Sequence, residues 1–451
     1  MDRGYPDTHV FFRKLTARYP LVIRGEGCWL YDADGKAYLD ACGGAFVSNL
    51  GHGVSEIADA MAEQARRLAY VSGAVMTHEA VEDFAGQLAA VAPGDLDKAY
   101  PLSSGSDAIE AALKLARQYW VDAGQPGKHK IIALTPAYHG NTLLALSASG
   151  RDHYKALFRE WLIDVVQIPA PYAYRCVCGG AAPVCDACSA GHLEAAIHRE
   201  GADTVAAFIA EPVGGSSTGA SVPPPEYFRR VREICDEHDV LFIADEVLVG
   251  AGRTGTWSAI EPYGVAPDIA VYGKGIAAGF APLAAVVATH RIVDVLADAS
   301  GALMHAQTFS HHPVSCAAGA ATLRYLREHK LVERCASMGS IFHGKLESLR
   351  SLPHVGDVRG RGLLAGVEFV EDKETRAPFP RAVHFAETFA PAALDAGLVV
   401  WPNVGQANGT DGDLVMLAPA FIIEEPEIDE IVSRFGVAME TTVRQLGAEK
   451  A

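Results

Sequence analysis

Several residues able to do chemistry stand where short apolar runs of this sequence end. The run Leu241-Phe-Ile-Ala-Asp245-Glu246 closes on a carboxylate, which is costly to bury unless a cation or a protonated ring nitrogen pairs with it. Asp268-Ile-Ala-Val-Tyr-Gly-Lys274-Gly closes on an amine. In apolar surroundings that amine loses hydration and its pKa falls, as condensation with a carbonyl requires. Taken alone, a lysine between glycines is more simply read as a solvated surface charge. Tyr100-Pro-Leu-Ser-Ser-Gly-Ser106 leaves a strand through small residues into a helix. Ser104, Gly105 and Ser106 therefore offer hydroxyls and unpaired N–H groups to an anion, although such a cap also arises for purely structural reasons.

The combination is more informative than any member. An anion cup, an aromatic at Tyr138 in Tyr138-His-Gly140, a buried Asp245 and a strand-end Lys274 follow one another along the chain. Pyridoxal phosphate needs such a set: an anchor for its phosphate, an aromatic face for its ring, a counter-ion for its pyridinium nitrogen and an amine for its aldehyde. His139 adjoins the aromatic and is a further candidate contact. His52, His311 and His312 sit in Gly- or Pro-bordered turns, where a structural role is the simpler expectation.

The elements that must position these residues alternate. Lys130-Ile-Ile-Ala-Leu134, Val205–Ala210, Val240–Ala244 and Asp268–Tyr272 are short, β-branched and apolar on both faces, the pattern of buried strands in a mostly parallel sheet. Between them, Ser106–Trp120 carries Ile109, Leu113, Ala116 and Trp120 on one helical stripe, and Pro225–Asp239 is a second amphipathic helix. An α/β fold follows. We expect an N-terminal arm over residues 1–55, a large α/β domain over 56–325 and a smaller α+β domain over 326–451. Gly362–Val370, Gly397–Trp401 and Asp413–Ala418 supply strands of the last, and a helix from Pro426 closes it. In a doubly wound sheet, ligands sit outside the carboxyl ends of the strands, where the candidate residues fall.

Blocks over nearly the whole chain make the sequence resemble a class III aminotransferase, the ω-transaminase branch of the fold type I pyridoxal-phosphate enzymes. They include Arg24–Asp40, Ser104-Gly-Ser106, Tyr138-His-Gly140, Glu211-Pro-Val, Ala244–Gly255, Gly273-Lys-Gly275, Thr308–Pro313 and Arg359–Glu368. The resemblance implies that Lys274 binds the cofactor aldehyde and then shuttles a proton, while Asp245 keeps the ring nitrogen protonated. It implies that Tyr138 and Val247 cover the two ring faces, that Ser104, Gly105 and Ser106 hold phosphate, and that Thr308 reaches this phosphate from a neighbouring subunit of a homodimer. Glu211 falls where the family has a glutamate near the cofactor, although a strand-end glutamate also serves as a salt-bridge partner. The implied reaction passes an amino group from an amine or amino acid, through pyridoxamine phosphate, to a 2-oxo acid such as pyruvate. A racemase, an epimerase and a decarboxylating transaminase share the Asp245/Lys274 machinery and remain alternatives.

Departures from the family pattern bear on the substrate. Leu248 stands where amino-acid enzymes often carry Gln, which leans toward the amine:pyruvate group. Trp401 stands where that group usually carries an arginine for the acceptor's carboxylate, and an indole cannot make the bidentate pair. Another cation then takes the role, with Arg359 and Arg361 as candidates, or the acceptor is not a simple 2-oxo acid. Ala45 and Phe46 leave one side of the expected pocket more open.

Composition narrows the partners. The 451 residues are 49% hydrophobic and 21% charged, and 38 Lys+Arg against 55 Asp+Glu give a formal charge of −17. A field of that sign repels phosphate backbones and anionic lipid, so neither nucleic acid nor membrane is an expected partner. The first residues lack a signal-peptide pattern, and a cytoplasmic location is expected. Nine cysteines, an odd number, suit a reducing compartment. Four of them, Cys176, Cys178, Cys185 and Cys188, lie within thirteen residues. They fit either a structural zinc site or a loop of reduced thiols.

Overall fold

A computed structural model of the protein describes residues 2–176 and 190–448. Its centre is a seven-stranded sheet. In chain order the strands are β1 (Leu96–Leu102), β2 (Lys130–Thr135), β3 (Val166–Pro169), β4 (Val205–Ala210), β5 (Leu241–Asp245), β6 (Ile269–Tyr272) and β7 (Ala284–Thr289). Across the sheet they run β1-β7-β6-β5-β4-β2-β3. Pairings from β6 to β3 are parallel, whereas β7 runs antiparallel to both β6 and β1. The fold is the expected α/β class with a mostly parallel sheet.

Burial on both faces explains why the central strands read as unbroken apolar runs. Leu241 and Ile243 pack with Ile109, Leu113 and Ala116 of the helix Gly105–Asp122. Phe242 and Ala244, alternating to the opposite face, pack with Leu193 and Ile197 of the helix Gly191–Glu200 and with Phe228 and Val231 of the helix Tyr227–Glu237. Strands β1, β3 and β7, absent from the four runs read in the sequence, widen the sheet on both sides.

Two smaller sheets flank the large one. Val355–Arg361, Leu364–Phe369, Asp413–Leu417 and Trp401–Val404 form an antiparallel sheet, packed with the helices Phe385–Asp395 and Glu425–Ala448. Trp401 therefore opens a strand rather than closing the one before it. The N-terminal strands Val22–Glu26, Trp29–Asp32 and Ala37–Asp40 form a meander that Leu398–Val399 extends in parallel. This places residues near both chain ends in one sheet. Among the described residues no helix is long and apolar enough to cross a membrane.

Parallel strands share a direction, so β2, β4, β5 and β6 release their following residues at one edge of the sheet. Strand β1, antiparallel to the antiparallel β7, ends on the same edge. Tyr138, Glu211, Asp245, Lys274 and Ser104 thus converge although 170 positions separate the first from the last along the chain.

The antiparallel sheet meets this edge through a close backbone approach. A Cβ on Gly366, in the strand Leu364–Phe369, would strike the carbonyl oxygen of Gly219 in the turn that follows Glu211. Backbone cannot swing aside as a long side chain can, so G366A is expected to lose roughly 1–3 kcal/mol of stability. Reversible denaturant unfolding checks this, and an unchanged midpoint would show that the turn yields.

Candidate active site

A cavity of about 690 Å³ opens at the shared strand edge. Eleven of the twelve residues singled out in the sequence line it: Phe46, Ser104, Gly105, Ser106, Tyr138, His139, Glu211, Asp245, Val247, Lys274 and Trp401. Thr308 does not. Its backbone carbonyl accepts a hydrogen bond from the Tyr70 hydroxyl instead, at 2.9 Å.

Asp245 is buried at the end of β5. One carboxylate oxygen, Oδ2, accepts from His139 Nδ1 at 2.7 Å, and Oδ1 accepts from the Val247 backbone N–H at 3.1 Å. His139 is itself buried, and its backbone N–H donates to Ser149 Oγ at 2.9 Å. The histidine thus fixes the carboxylate from behind. Its Nε2 is buried without a hydrogen-bond partner.

Lys274 follows β6 through Gly273 and adopts a left-handed φ of 44°. That region costs a side-chain-bearing residue about 1–3 kcal/mol and persists where surrounding structure over-determines it. Desolvation lowers the amine's pKa, partly offset by the negative charges of Asp245 and Glu211. Glu211, buried just past β4, accepts from Tyr138 N–H at 3.3 Å and Gly215 N–H at 3.0 Å. Burial, with Asp245 adding to it, pushes its carboxyl up to about 7.

Ser104 caps the helix Gly105–Asp122 by accepting from Asp107 N–H at 3.2 Å, while Ser106 Oγ accepts from Asn141 N–H at 3.0 Å. A Cβ on Gly105 would sit 2.8 Å from Val247 Cγ1, so only glycine lets the helix start approach that side chain. Val247 bridges the helix start and Gly273, which lies against the same methyl group. On the far wall, the rings of Phe46 and Trp401 lie 5.5 Å apart, beside Leu248.

Neither Arg359 nor Arg361 reaches the cavity. Arg359 is tied to Glu368 and Asp357, each at 2.8 Å, and donates to the Thr218 carbonyl. Arg361 lies over the Tyr263 ring. The cations that line the cavity besides Lys274 are Arg13, exposed at its rim, and Arg151. Sequence reasoning missed both, together with Tyr154 and Ser216. A charged residue in Ser147-Ala-Ser-Gly-Arg151-Asp152 reads as solvated surface, and nothing local signals that it is buried. As for the cysteine cluster, Cys176 is a half-buried free thiol, and Cys178, Cys185 and Cys188 lie outside the described residues.

Comparison with known proteins assigns the family. The sequence profile of Aminotransferase class-III matches residues 14–439. The chain belongs to the class III aminotransferases. It is 37% identical to YodT of Bacillus subtilis (strain 168), an uncharacterized aminotransferase, with 96% of this chain and 98% of the relative aligned. It is 34% identical to putrescine–pyruvate aminotransferase of Pseudomonas aeruginosa, covering 92% of this chain and 89% of that protein. Among solved structures, an amine transaminase from an uncultivated Pseudomonas species in the PLP-bound (internal aldimine) form superposes with a TM-score of 0.88. That structure shares 34% identity over 97% of this chain and 98% of its own. The enzyme is therefore a pyridoxal-phosphate-dependent aminotransferase of fold type I.

The residues present fit that cofactor. The glycine-lined helix start offers donors for phosphate, Asp245 backed by His139 offers an acceptor for a ring N–H, and Lys274 offers a desolvated amine. An amine attacks a carbonyl only when unprotonated, and burial moves that state to lower pH. Uptake of pyridoxal phosphate by the apoenzyme, trapped by borohydride and located at Lys274 by mass spectrometry, should rise with pH and level off below lysine's ordinary 10.5. Because Asp245 raises the amine's pKa, D245N should move the profile to lower pH. A profile that follows free lysine would contradict the desolvation argument.

Proposed function

We propose that the enzyme moves an amino group from a primary amine, or from an amino acid, to a short 2-oxo acid, with pyruvate as the acceptor. The apolar wall formed by Phe46, Leu248 and Trp401 carries this reading, because it suits a donor's hydrocarbon body rather than a second charged group. The named activity of the Pseudomonas aeruginosa relative supports the choice of acceptor.

Bound pyridoxal phosphate supplies an electron sink for the electron pair left when the donor's α-proton is removed. The chain's residues do the rest. Lys274 Nζ would hold the cofactor's aldehyde and, as a free amine, would take and return the proton at the substrate's α-carbon. Its left-handed backbone aims the side chain into the cavity from the end of β6. Asp245 pairs with the ring N–H, and the 2.7 Å bond from His139 stops the carboxylate from turning away. Ser104, Gly105 and Ser106 would bind the phosphate, while Tyr138 and Val247 would cover the ring. Glu211 lines the same cavity with both oxygens occupied by backbone N–H groups, so it would orient the cofactor rather than transfer a proton.

Thr308 acts in this scheme on the phosphate of a second subunit in a cytoplasmic homodimer. Its position away from its own chain's cavity is consistent with that role.

The test uses holoenzyme mixed with primary amines and amino acids in the absence of an acceptor. Loss of the bound cofactor's visible absorbance, restored by pyruvate, is the expected result. K274A should lower turnover by at least about 10²–10⁴-fold, the usual contribution of a positioned proton-transfer group. Absorbance that persists while an amino acid racemises or loses CO₂ would favour the racemase or decarboxylase reading instead.

A further inference from the structure

Arg151 is a cation built into the cavity wall without a counter-ion. It is only 6% exposed, yet it lines the cavity. Its guanidinium lies 4.3 Å from the centre of the Tyr154 ring, Nη1 donates to Ser216 Oγ at 3.4 Å, and Nη2 donates to Asn403 Oδ1. These are neutral partners. Among the described residues no carboxylate lies within ion-pair distance of it, and the acid that acts on it, Glu211, is held by two backbone N–H groups. Desolvation lowers its pKa, but a guanidinium remains charged. A buried, unpaired charge is expensive unless a partner of opposite sign arrives with the substrate.

Its neighbours place it on the substrate side. Asn403 belongs to the strand Trp401–Val404, two residues beyond Trp401 and so on the same face of that strand. One strand thus presents an indole, which cannot bind a carboxylate, and an amide that fixes a guanidinium, which can. Only two of the five guanidinium donors are engaged by Ser216 and Asn403. The Tyr154 ring and these two polar side chains hold the fork in place, so little entropy is lost when an anion docks. Arg13, the other arginine of the cavity, is exposed and donates weakly to Tyr154 Oη at 3.4 Å, which leaves it far less pre-organised.

We propose that Arg151 is the carboxylate-binding residue of the active site, taking the α-carboxylate of the 2-oxo acid acceptor and of the amino acid it becomes. The proposal rests on the aminotransferase reading above. It assigns Arg151 the task that Trp401 cannot perform and makes the enzyme dual in specificity. One substrate binds through its carboxylate at Arg151, and the other through its hydrocarbon body at Phe46, Leu248 and Trp401.

Matched pairs of substrates separate this role from a structural one. Alanine and isopropylamine differ by a carboxylate for a methyl group, as do pyruvate and acetone. In the holoenzyme, R151M should lower the ratio of kcat/KM for alanine to that for isopropylamine by about 30- to 100-fold, the worth of a lost charge-assisted pair. Most of the change should fall in KM, and the pyruvate-to-acetone ratio should shift in the same direction. R151K keeps the charge but not the fork, so its loss should be intermediate. R151K is read alone if R151M does not fold.

A second readout is independent of turnover. Propanoate, a carboxylate with no group to transfer, should raise the melting temperature of the wild-type holoenzyme and not that of R151M. Ratios unchanged within about twofold, no melting shift in the wild type, or a ratio lost in R13M but not in R151M would each overturn the proposal. A wild-type enzyme that exchanges amino groups with none of these compounds would instead overturn the reading of its donors and acceptors, before any variant is compared.

Discussion

The active site depends on keeping a carboxylate charged where water is excluded. Asp245 ends a strand buried on both faces, and the low dielectric that makes its charge costly would also strengthen its pairing with a cofactor's ring N–H. The structure meets that cost from two directions. His139 donates from behind at 2.7 Å, and the Val247 N–H donates from the following turn. Each of these groups is placed by a different strand or loop. The carboxylate therefore works only when the sheet is fully assembled.

The sheet's topology supplies that assembly. Five strands deliver their carboxyl ends to one edge, so residues distant along the chain meet there. Close backbone approaches then set the spacing. Gly105 admits the Val247 side chain to the helix start, and Gly366 lets the antiparallel sheet lie against the turn beyond Glu211. Local strain at Lys274, with its left-handed φ, is held by the packing of the elements on either side.

A second charge problem lies on the opposite wall. Arg151 is desolvated and fixed by an aromatic ring and two neutral side chains, whereas Arg359 pairs with two carboxylates of its own and takes no part in the cavity. Arg151 is buried and Arg359 largely so, but among the described residues only Arg359 has its charge neutralised by carboxylates. This contrast, rather than burial as such, separates a structural cation from one available to a ligand.

Asp245, Lys274 and the Ser104-Gly-Ser106 turn were legible in the sequence for local reasons. A polar residue closing a run of β-branched residues must lie at a strand end, and the alternation of strands with amphipathic helices implied a parallel sheet whose ends share an edge. Tyr138 and His139 followed from their place just past a strand, and Glu211 and Val247 from the family blocks around them. The sequence alone thus determined the fold class, the cofactor chemistry and most of the cavity's lining. It did not determine which arginine lines the cavity. Arg359 and Arg361 stand in a well-marked block and turn away, while Arg151 stands in an unmarked stretch and turns in. Whether a side chain keeps, shares or lacks a counter-ion depends on groups brought beside it from remote parts of the chain, here Asn403 and Ser216 for Arg151 and Glu368 and Asp357 for Arg359. Local spacing carries no record of those meetings, so only the tertiary structure decided them.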